Sequence, residues 1–270
     1  MNPEVKEIVK AIDTVEFANL SNWKKPSFPI QDFTFHYRRV NFFDWRSHSL
    51  NLVCPEQIKS SVKSLLGTFT KKSKPEITSV HLGFSAEKLM KISPDNHNRA
   101  INENEILSEE EVETRIIESL KYLENMGLPL ALENLDYHPG GAYEYVCEQT
   151  FIEKILRKTN AGLLLDIAHA EISAIGLSKT NNKNQQVTNN DLIEITRDYL
   201  KKLPLDRVVQ LHLNAPSWRR NRLMDMHLPF TMIEEALLKD LVHLPNLKII
   251  TLESKESLLE QVKRLRKLLE

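Results

Sequence analysis

Several short apolar runs in this sequence end in a histidine or an acidic residue. The residues at these ends are His36, His81, Glu133, Asp166 with His169, His212 and Glu253. Runs of this kind are typical of buried parallel strands, which are covered on both faces. Because parallel strands in one barrel end at the same rim, we expect these side chains to converge on one polar pocket.

The strand-like runs alternate with helical patterns, which predicts an α/β fold with a parallel sheet. The clearest helix is 109–126, with a capping box formed by Ser108 and Glu111 and a stop at Gly127. Two further helices are predicted at 4–12 and 255–269. Seven strands are predicted, at 15–20, 33–37, 78–84, 128–135, 162–170, 208–215 and 248–254.

The length of 270 residues fits a single TIM-barrel domain over residues 1–270, since such barrels need about 250 residues. Seven strands are one fewer than a closed barrel requires, and the sequence begins with a helical pattern. We therefore expect the first strand to be missing or truncated, or the barrel to have a gap. A gap would leave two strand edges in need of cover.

Composition excludes several classes of function. The net charge of −1 provides no general attraction for nucleic acid or an anionic membrane. No apolar stretch approaches the ~20 residues of a membrane span, and the charged N-terminus is not a secretory signal. The two cysteines, Cys54 and Cys147, form no CxxC motif. These observations predict a cytoplasmic protein without nucleic-acid or membrane partners.

The acidic residues at the predicted rim indicate a metal site. Glu133, Asp166 and Glu253 would lie close to Asp225, and crowded, partly buried carboxylates repel one another. Protonation or bound cations would relieve this repulsion, and neutral histidines could serve as further ligands. Carboxylate and imidazole ligands without thiolates suit iron, manganese or zinc. The number of potential ligands predicts more than one ion.

Individual residues also have simpler interpretations. A single strand-end histidine, such as His36 or His81, is more often a hydrogen-bonded core residue, and Glu133 could cap a turn. The spacings Asp166–His169 and Asp225–His227 are stronger signals. For His138 a role in a turn and a place in the pocket stay open. The remaining groups are interpreted as surface features: His48, His97, His243 and the polar loop 178–191.

The basic segment WRRNR at 218–222 lies between two segments that carry predicted ligands. It is either a solvated loop or a contact for an anionic or peptide substrate. No phosphate-binding glycine motif and no GxSxG motif occurs, so nucleotide binding and a serine hydrolase are not indicated.

The ordered series SVHLGFS, LENL, LLLDIAHAEISA, LHLNAP, DMH and TLES, preceded by FHY near residue 36, resembles the multinuclear non-heme iron-dependent oxidative enzymes. The resemblance extends over nearly the whole chain and is strongest to the branch of the methanobactin oxidase, MbnB. Many relatives have DxNN where this chain has Asp166-Ile-Ala-His169, and the histidine favours the MbnB-like branch. Relatives also begin with a strand that is not found here.

The resemblance implies a xylose-isomerase-like TIM barrel with two or three iron ions, of mixed valence, and dioxygen as co-substrate. It implies oxidation of residues, often cysteine, in a ribosomally made precursor peptide, with a partner protein that recognises the leader. Catalytic roles are expected for Asp166, His169 and His212, whereas the role of Glu16 stays open. The implied metal ligands are His36, His81, Glu133, Asp166, His169, His212, Asp225, His227 and Glu253.

Three other functions are compatible with the sequence. The same type of barrel supports divalent-metal sugar isomerases or epimerases. It also supports metal phosphodiesterases of the endonuclease IV type, although the net charge of −1 argues against strong DNA binding. The third alternative is a binding subunit that retains the barrel without catalysis.

Overall fold

The computed structural model describes residues 14–17, 39–43, 51–60, 77–92, 97–101, 103–178, 187–219, 221–254 and 256–270. His36, His48, the helix predicted at 4–12 and the strand predicted at 33–37 lie outside these residues.

Among the described residues, the largest sheet has seven strands, which pair with their neighbours in parallel. In order across the sheet, they are β1 (Thr14–Phe17), β2 (Arg39–Phe43), β3 (Thr78–His81), β6 (Leu130–Glu133), β7 (Gly162–Asp166), β8 (Val208–Leu213) and β11 (Ile249–Leu252). Two antiparallel ribbons add β4 (Leu89–Ile92) with β5 (His97–Ala100), and β9 (Ala215–Arg219) with β10 (Arg222–Leu228). The prediction of a parallel α/β fold is confirmed.

Most of the helices lie between consecutive strands of the main sheet, as parallel pairing requires, and the last helix follows the final strand. They are α1 (Glu109–Asn125), α2 (Gln149–Lys158), α3 (Ile167–Leu177), α4 (Asn189–Leu200), α5 (Met232–Leu241) and α6 (Leu258–Leu269). Residues 55–60 are helical, and short 3₁₀ turns span Glu103–Glu105 and Leu205–Arg207. None of the helices among the described residues is long and apolar enough to cross a membrane.

Helix α1 shows how local sequence produces these elements. Ser108 accepts a hydrogen bond from the backbone N–H of Glu111, and the Glu111 carboxylate accepts one from the backbone N–H of Ser108. This is the predicted capping box, which satisfies two helix-terminal donors. The apolar stripe, which includes Val112 and Ile116, is buried in the main core. Packing of that stripe supplies most of the helix's stability.

The strand register brings the predicted ligands to one end of the sheet. His81 of β3 lies opposite Glu133 of β6, and Asp166 of β7 lies opposite His212 of β8. Each of these residues is at or next to the carboxyl end of its strand. Ligand sites in parallel α/β sheets form at this end.

Three local predictions differ from the structure. A strand was predicted for 162–170, but β7 ends at Asp166, whose side chain caps α3 by accepting from the His169 N–H. The segment of Asp225 and His227 lies outside every predicted strand, but it forms the second strand of the β-hairpin β9–β10. The start of α4 lies inside the predicted loop 178–191, because Thr188 and Asp191 form a capping box. Short polar residues acting as caps explain two of these differences.

Candidate metal centre

Six buried or half-buried side chains form a closed ring in which carboxylates alternate with imidazoles, which we call the acid–histidine ring. The nearest N–O distances around it are Glu133–His212 3.6 Å, His212–Glu253 3.2 Å, Glu253–His227 3.5 Å, His227–Asp225 3.0 Å, Asp225–His169 3.7 Å and His169–Glu133 3.7 Å. The ring gathers residues from β6, α3, β8, β10 and the segment after β11. The structure thus brings together residues that are 120 positions apart in the sequence.

Two more predicted ligands adjoin the acid–histidine ring. Asp166 Oδ2 lies 3.9 Å from His212 Nδ1, and His81 Nε2 lies 3.3 Å from Glu133 Oε2. Glu133, Asp166 and His212 are fully or almost fully buried, and each offers one ligand atom within 4.8 Å of the others. A single cation could therefore contact all three of these atoms.

Asn134 holds two of these residues in place. Its side chain accepts a hydrogen bond from the Asp166 N–H at 2.8 Å and donates to the Asp166 carbonyl at 3.0 Å. Its own carbonyl oxygen lies 2.8 Å from His169 Nδ1, so that nitrogen carries the proton and donates it. The Nε2 of His169 then remains as the ligand atom, and it lies on the side of Asp225.

The hairpin β9–β10 delivers Asp225 and His227 through an irregular strand. Its register shifts between Met224 and Leu228, as at a β-bulge, and His227 has a left-handed backbone with φ of 48°. The His227 N–H also donates to Asp225 Oδ1 at 3.3 Å. A bulge redirects side chains, and a left-handed non-glycine residue costs about 1–3 kcal/mol, so it persists only where its surroundings enforce it. Both Asp225 and His227 reach the ring from this irregular segment.

Asn214 links two carboxylates that would otherwise repel each other. Its amide nitrogen lies 3.2 Å from Asp166 Oδ2 and 3.4 Å from Glu253 Oε2. Asn214 was not among the predicted site residues. It follows His212 by two residues, a spacing that places two side chains on the same face of a strand. Asn134 was not predicted either, because the predicted ligands were restricted to histidines and acidic residues.

The electrostatics of the acids reflect burial and crowding. Burial raises the pKa of Asp166 to about 7, and the negative charges of Glu253 and Asp225 reinforce the rise. Burial would also raise the pKa of Glu133, but its histidine neighbours outweigh that effect and hold the pKa below its usual value. Burial and neighbouring carboxylates thus favour the protonated form of Asp166, whereas neighbouring histidines keep Glu133 ionised.

The histidines respond in the opposite direction. Burial alone would lower the pKa of His227, but Asp225 and Glu253 raise it to about 10. Likewise, Asp166 and Asp225 overcome burial and raise the pKa of His169 well above its ordinary value. The pocket thus favours positive charge. A divalent cation can supply that charge instead of protons, leaving the imidazoles as neutral ligands.

The donor set fits a redox-active or borderline metal. It consists of carboxylate oxygens and imidazole nitrogens, which suit iron, manganese or zinc. Cys147 is buried against the carbonyl of Leu135 and Cys54 lies near Glu87, so neither belongs to the ring. Among the described residues, the candidate donor set therefore consists of carboxylates and imidazoles without a thiolate.

The remaining predicted residues are placed as follows. Glu16 belongs to β1, opposite Asn41 of β2. His243 is exposed, as expected for a surface residue, and His97 lies in β5.

His138 is 4% exposed, and its Nε2 lies 2.7 Å from Asp136 Oδ2. Burial would raise the pKa of Asp136, but His138 and the charge of His169 together lower it. Asp136, which sequence analysis missed, thus connects His138 electrostatically to the acid–histidine ring.

The basic segment 218–222 includes the end of β9 and the start of β10. Trp218 is 44% exposed, and Arg219 and Arg222 are exposed as well. These residues belong to the hairpin that also carries Asp225 and His227.

Comparison with solved structures identifies the fold. The chain is similar to a D-tagatose 3-epimerase-like protein, with TM-score 0.59 and 15% identity, covering 97% of this chain and 95% of that one. It is similar to a xylose isomerase domain protein from Alicyclobacillus acidocaldarius, with TM-score 0.56, 15% identity and coverage of 99% and 93%. It is also similar to an AP endonuclease, family 2, from Brucella melitensis, with TM-score 0.56, 11% identity and coverage of 96% and 90%. The fold is a xylose-isomerase-like TIM barrel, as predicted.

Comparison with protein families identifies the relationship by sequence. A search of curated proteins found no match. Residues 33–244 match the model of the RiPP precursor modification enzymes MbnB/TglH/ChrH, where RiPP denotes a ribosomally made and modified peptide. The matched range includes every predicted ligand except Glu253. The chain therefore belongs to the MbnB/TglH/ChrH family of RiPP precursor modification enzymes.

Proposed function

We propose that this protein is a multinuclear iron-dependent oxidase that uses dioxygen to modify residues, above all cysteine, of a ribosomally made precursor peptide. Family membership supports the peptide substrate. The single observation that carries the metal chemistry is the acid–histidine ring, with its buried carboxylates and imidazoles from five parts of the fold.

Two or three iron ions would be held by the ring together with its neighbours. The proposed ligands are His81, Glu133, Asp166, His169, His212, Asp225, His227 and Glu253, with His36 from outside the described residues. Iron bound there would supply the redox chemistry that connects dioxygen to a peptide substrate. Catalytic roles are proposed for Asp166, His169 and His212.

The chain's own contribution is orientation and shielding. Asn134 orients His169 and the Asp166 backbone, and Asn214 holds two carboxylates side by side. Glu133, Asp166 and His212 are each at most 1% exposed, so bulk water is excluded from that part of the pocket. Side chains fixed in this way need little reorganisation when substrate binds.

The exposed hairpin tip is the proposed contact for the peptide. Trp218 offers an aromatic surface and Arg219 a permanent charge, and both are on the strand that leads into the hairpin. A partner protein that recognises the leader, and a cytoplasmic location, belong to the same proposal.

Metal analysis tests the identity of the ions. Protein expressed in iron-replete medium and purified without added metal should contain at least two irons per chain and little zinc. Full occupancy by zinc alone under these conditions would contradict an iron oxidase.

A peptide assay tests the reaction. A cysteine-containing precursor encoded beside the gene should change in mass when it is incubated with the iron-loaded protein in air, and not under argon. Glu113→Gln, which alters an acidic residue on the outside of α1, is the control and should retain activity. An identical product under argon would exclude dioxygen as the oxidant.

The alternative functions have different signatures. Turnover of a free sugar under argon would favour an isomerase or epimerase, and salt-sensitive binding to abasic DNA would favour a phosphodiesterase. The likeness to an epimerase-like protein and to an AP endonuclease concerns the fold and does not select either. A binding subunit would function unchanged after Asp166→Ala or His212→Ala.

A further inference from the structure

Gln210 lies beside the candidate metal centre but is not one of its predicted ligands. It precedes His212 by two residues on β8, so both side chains point to the same side of the strand. Both residues are 0% exposed. The Gln210 amide nitrogen lies 3.2 Å from His212 Nε2 and 3.0 Å from Thr251 Oγ1.

The two nitrogens of His212 face different surroundings. Nδ1 faces three carboxylate oxygens, at 3.6 Å from Glu133, 3.9 Å from Asp166 and 3.2 Å from Glu253. Nε2 lies on the other side of the imidazole, next to the Gln210 amide. A cation held by the three carboxylates would therefore meet Nδ1, which must then offer its lone pair.

The tautomer of His212 and the orientation of the Gln210 amide depend on each other. When the Gln210 amide nitrogen faces the imidazole of His212, His212 Nε2 must accept a hydrogen bond from it. The imidazole proton is then on Nδ1. If the amide turns by about 180°, its oxygen can accept from both His212 Nε2 and the Thr251 hydroxyl, since a carbonyl oxygen has two lone pairs. That orientation leaves Nδ1 deprotonated and directed at the carboxylates.

We propose that Gln210 is a positioning residue that fixes the metal-binding tautomer of His212, by accepting a hydrogen bond from Nε2–H while Nδ1 faces the cation. This inference rests on the proposed metal centre and adds the residue that prepares one of its ligands. Partners that hold the second nitrogen of a ligating histidine typically change metal affinity by about 10- to 100-fold.

Histidine NMR tests the tautomer directly. Protein with ¹⁵N-labelled histidine is loaded with Zn²⁺ alone, and the His212 signals are identified by their absence from His212→Gln. We expect a proton on Nε2 and a metal-shifted Nδ1. Coordination through Nε2, with the proton on Nδ1, would overturn the proposal.

Metal affinity tests the role of the amide. Gln210→Leu should weaken Zn²⁺ binding by about 10- to 100-fold, whereas Gln210→Glu, which can still accept from Nε2–H, should stay within about threefold. Gln261→Leu is the matched control, because Gln261 is a buried amide on α6 outside the centre. If Gln210→Leu fails to fold, Gln210→Met provides the same comparison.

The outcomes separate this inference from the proposed function. Wild-type protein that binds no cation would refute both. Cation binding with unchanged affinity in Gln210→Leu would refute the role of Gln210 alone and leave the metal centre intact.

Discussion

Two clusters of acidic side chains among the described residues differ in the kind of base that neutralises them. In the acid–histidine ring, buried carboxylates contact imidazoles. On the outside, Glu113 of α1 contacts Lys158 and lies 3.4 Å from Lys154 of α2, while Glu109 contacts Lys154 as well. We call this second group the surface acidic cluster.

The two clusters differ in whether their basic side chains can lose a proton at neutral pH and then bind a metal ion. A lysine at neutral pH is a permanent cation without a lone pair, so the surface acidic cluster is already balanced. A histidine can give up its proton and then bind a metal through the same nitrogen. Acidic clustering alone therefore does not indicate a metal site, whereas burial with histidines does.

The largest expected effect comes from neutralising Glu133, one of the three carboxylates of the acid–histidine ring. Glu133 contacts His81, His169 and His212. Glu133→Gln removes a negative charge that no neighbour can replace, so affinity for divalent iron should fall by more than about 100-fold, beyond the usual effect of an outer partner. Calorimetric titration under argon measures this. Glu113→Gln in the surface acidic cluster should bind iron as the wild type does, and equal losses in both variants would invalidate the comparison.

Metal should stabilise the fold only through the ring. At free Zn²⁺ of about 100 times Kd, the free energy of unfolding should rise by about 2.7 kcal/mol, because the ion binds the folded state. Urea denaturation with and without Zn²⁺ measures this difference. The gain should persist in Glu113→Gln and fall to about 0.4 kcal/mol or less in Glu133→Gln, because a 100-fold higher Kd leaves free Zn²⁺ near Kd. A gain that survives in Glu133→Gln would place the stabilising ion elsewhere.

A smaller effect is expected from the amide that links two acids. Asn214→Ala leaves Asp166 and Glu253 without their shared donor, so iron affinity should fall by about tenfold, or about 1.4 kcal/mol. Asn246→Ala is the control, because that amide donates to the Asp206 carbonyl on the exterior. Binding titrations of both variants decide whether Asn214 supports the site.

The smallest effect belongs to the surface acidic cluster. Lys154→Ala should lower the free energy of unfolding by less than about 1 kcal/mol, since exposed ion pairs are screened by water and salt. Chemical denaturation at low and high salt should show the loss shrinking as salt rises. Iron affinity should not change, and a drop would show that the two clusters are coupled.

Much of the architecture was predictable because it depends on repeating patterns. Runs of buried apolar residues indicated parallel strands, and the strand ends brought His81, Glu133 and His212 to one rim. The capping box of α1 was also recognisable from Ser108 and Glu111, since it depends on four consecutive residues.

Other features were not predicted, either because a continuous apolar run concealed a local cap or because the feature depends on contacts between distant residues. The strand predicted through residue 170 stops at Asp166 because that side chain turns back onto the His169 N–H. The hairpin that carries Asp225 and His227 depends on a left-handed backbone at a non-glycine residue. Asn134 and Asn214 contact residues of neighbouring strands, and Gln210 contacts both His212 on its own strand and Thr251 on the next, so the residue types alone gave no signal.

We expect the two sides of the pocket to differ in stiffness. Asn134 ties the last residues of adjacent strands together, so the gap between Glu133 and Asp166 is set by the barrel wall. On the opposite side, Asp225 and His227 belong to a two-stranded ribbon with an irregular register. We expect ions of different radius to be accommodated by small shifts of the ribbon, while the wall defines where they sit.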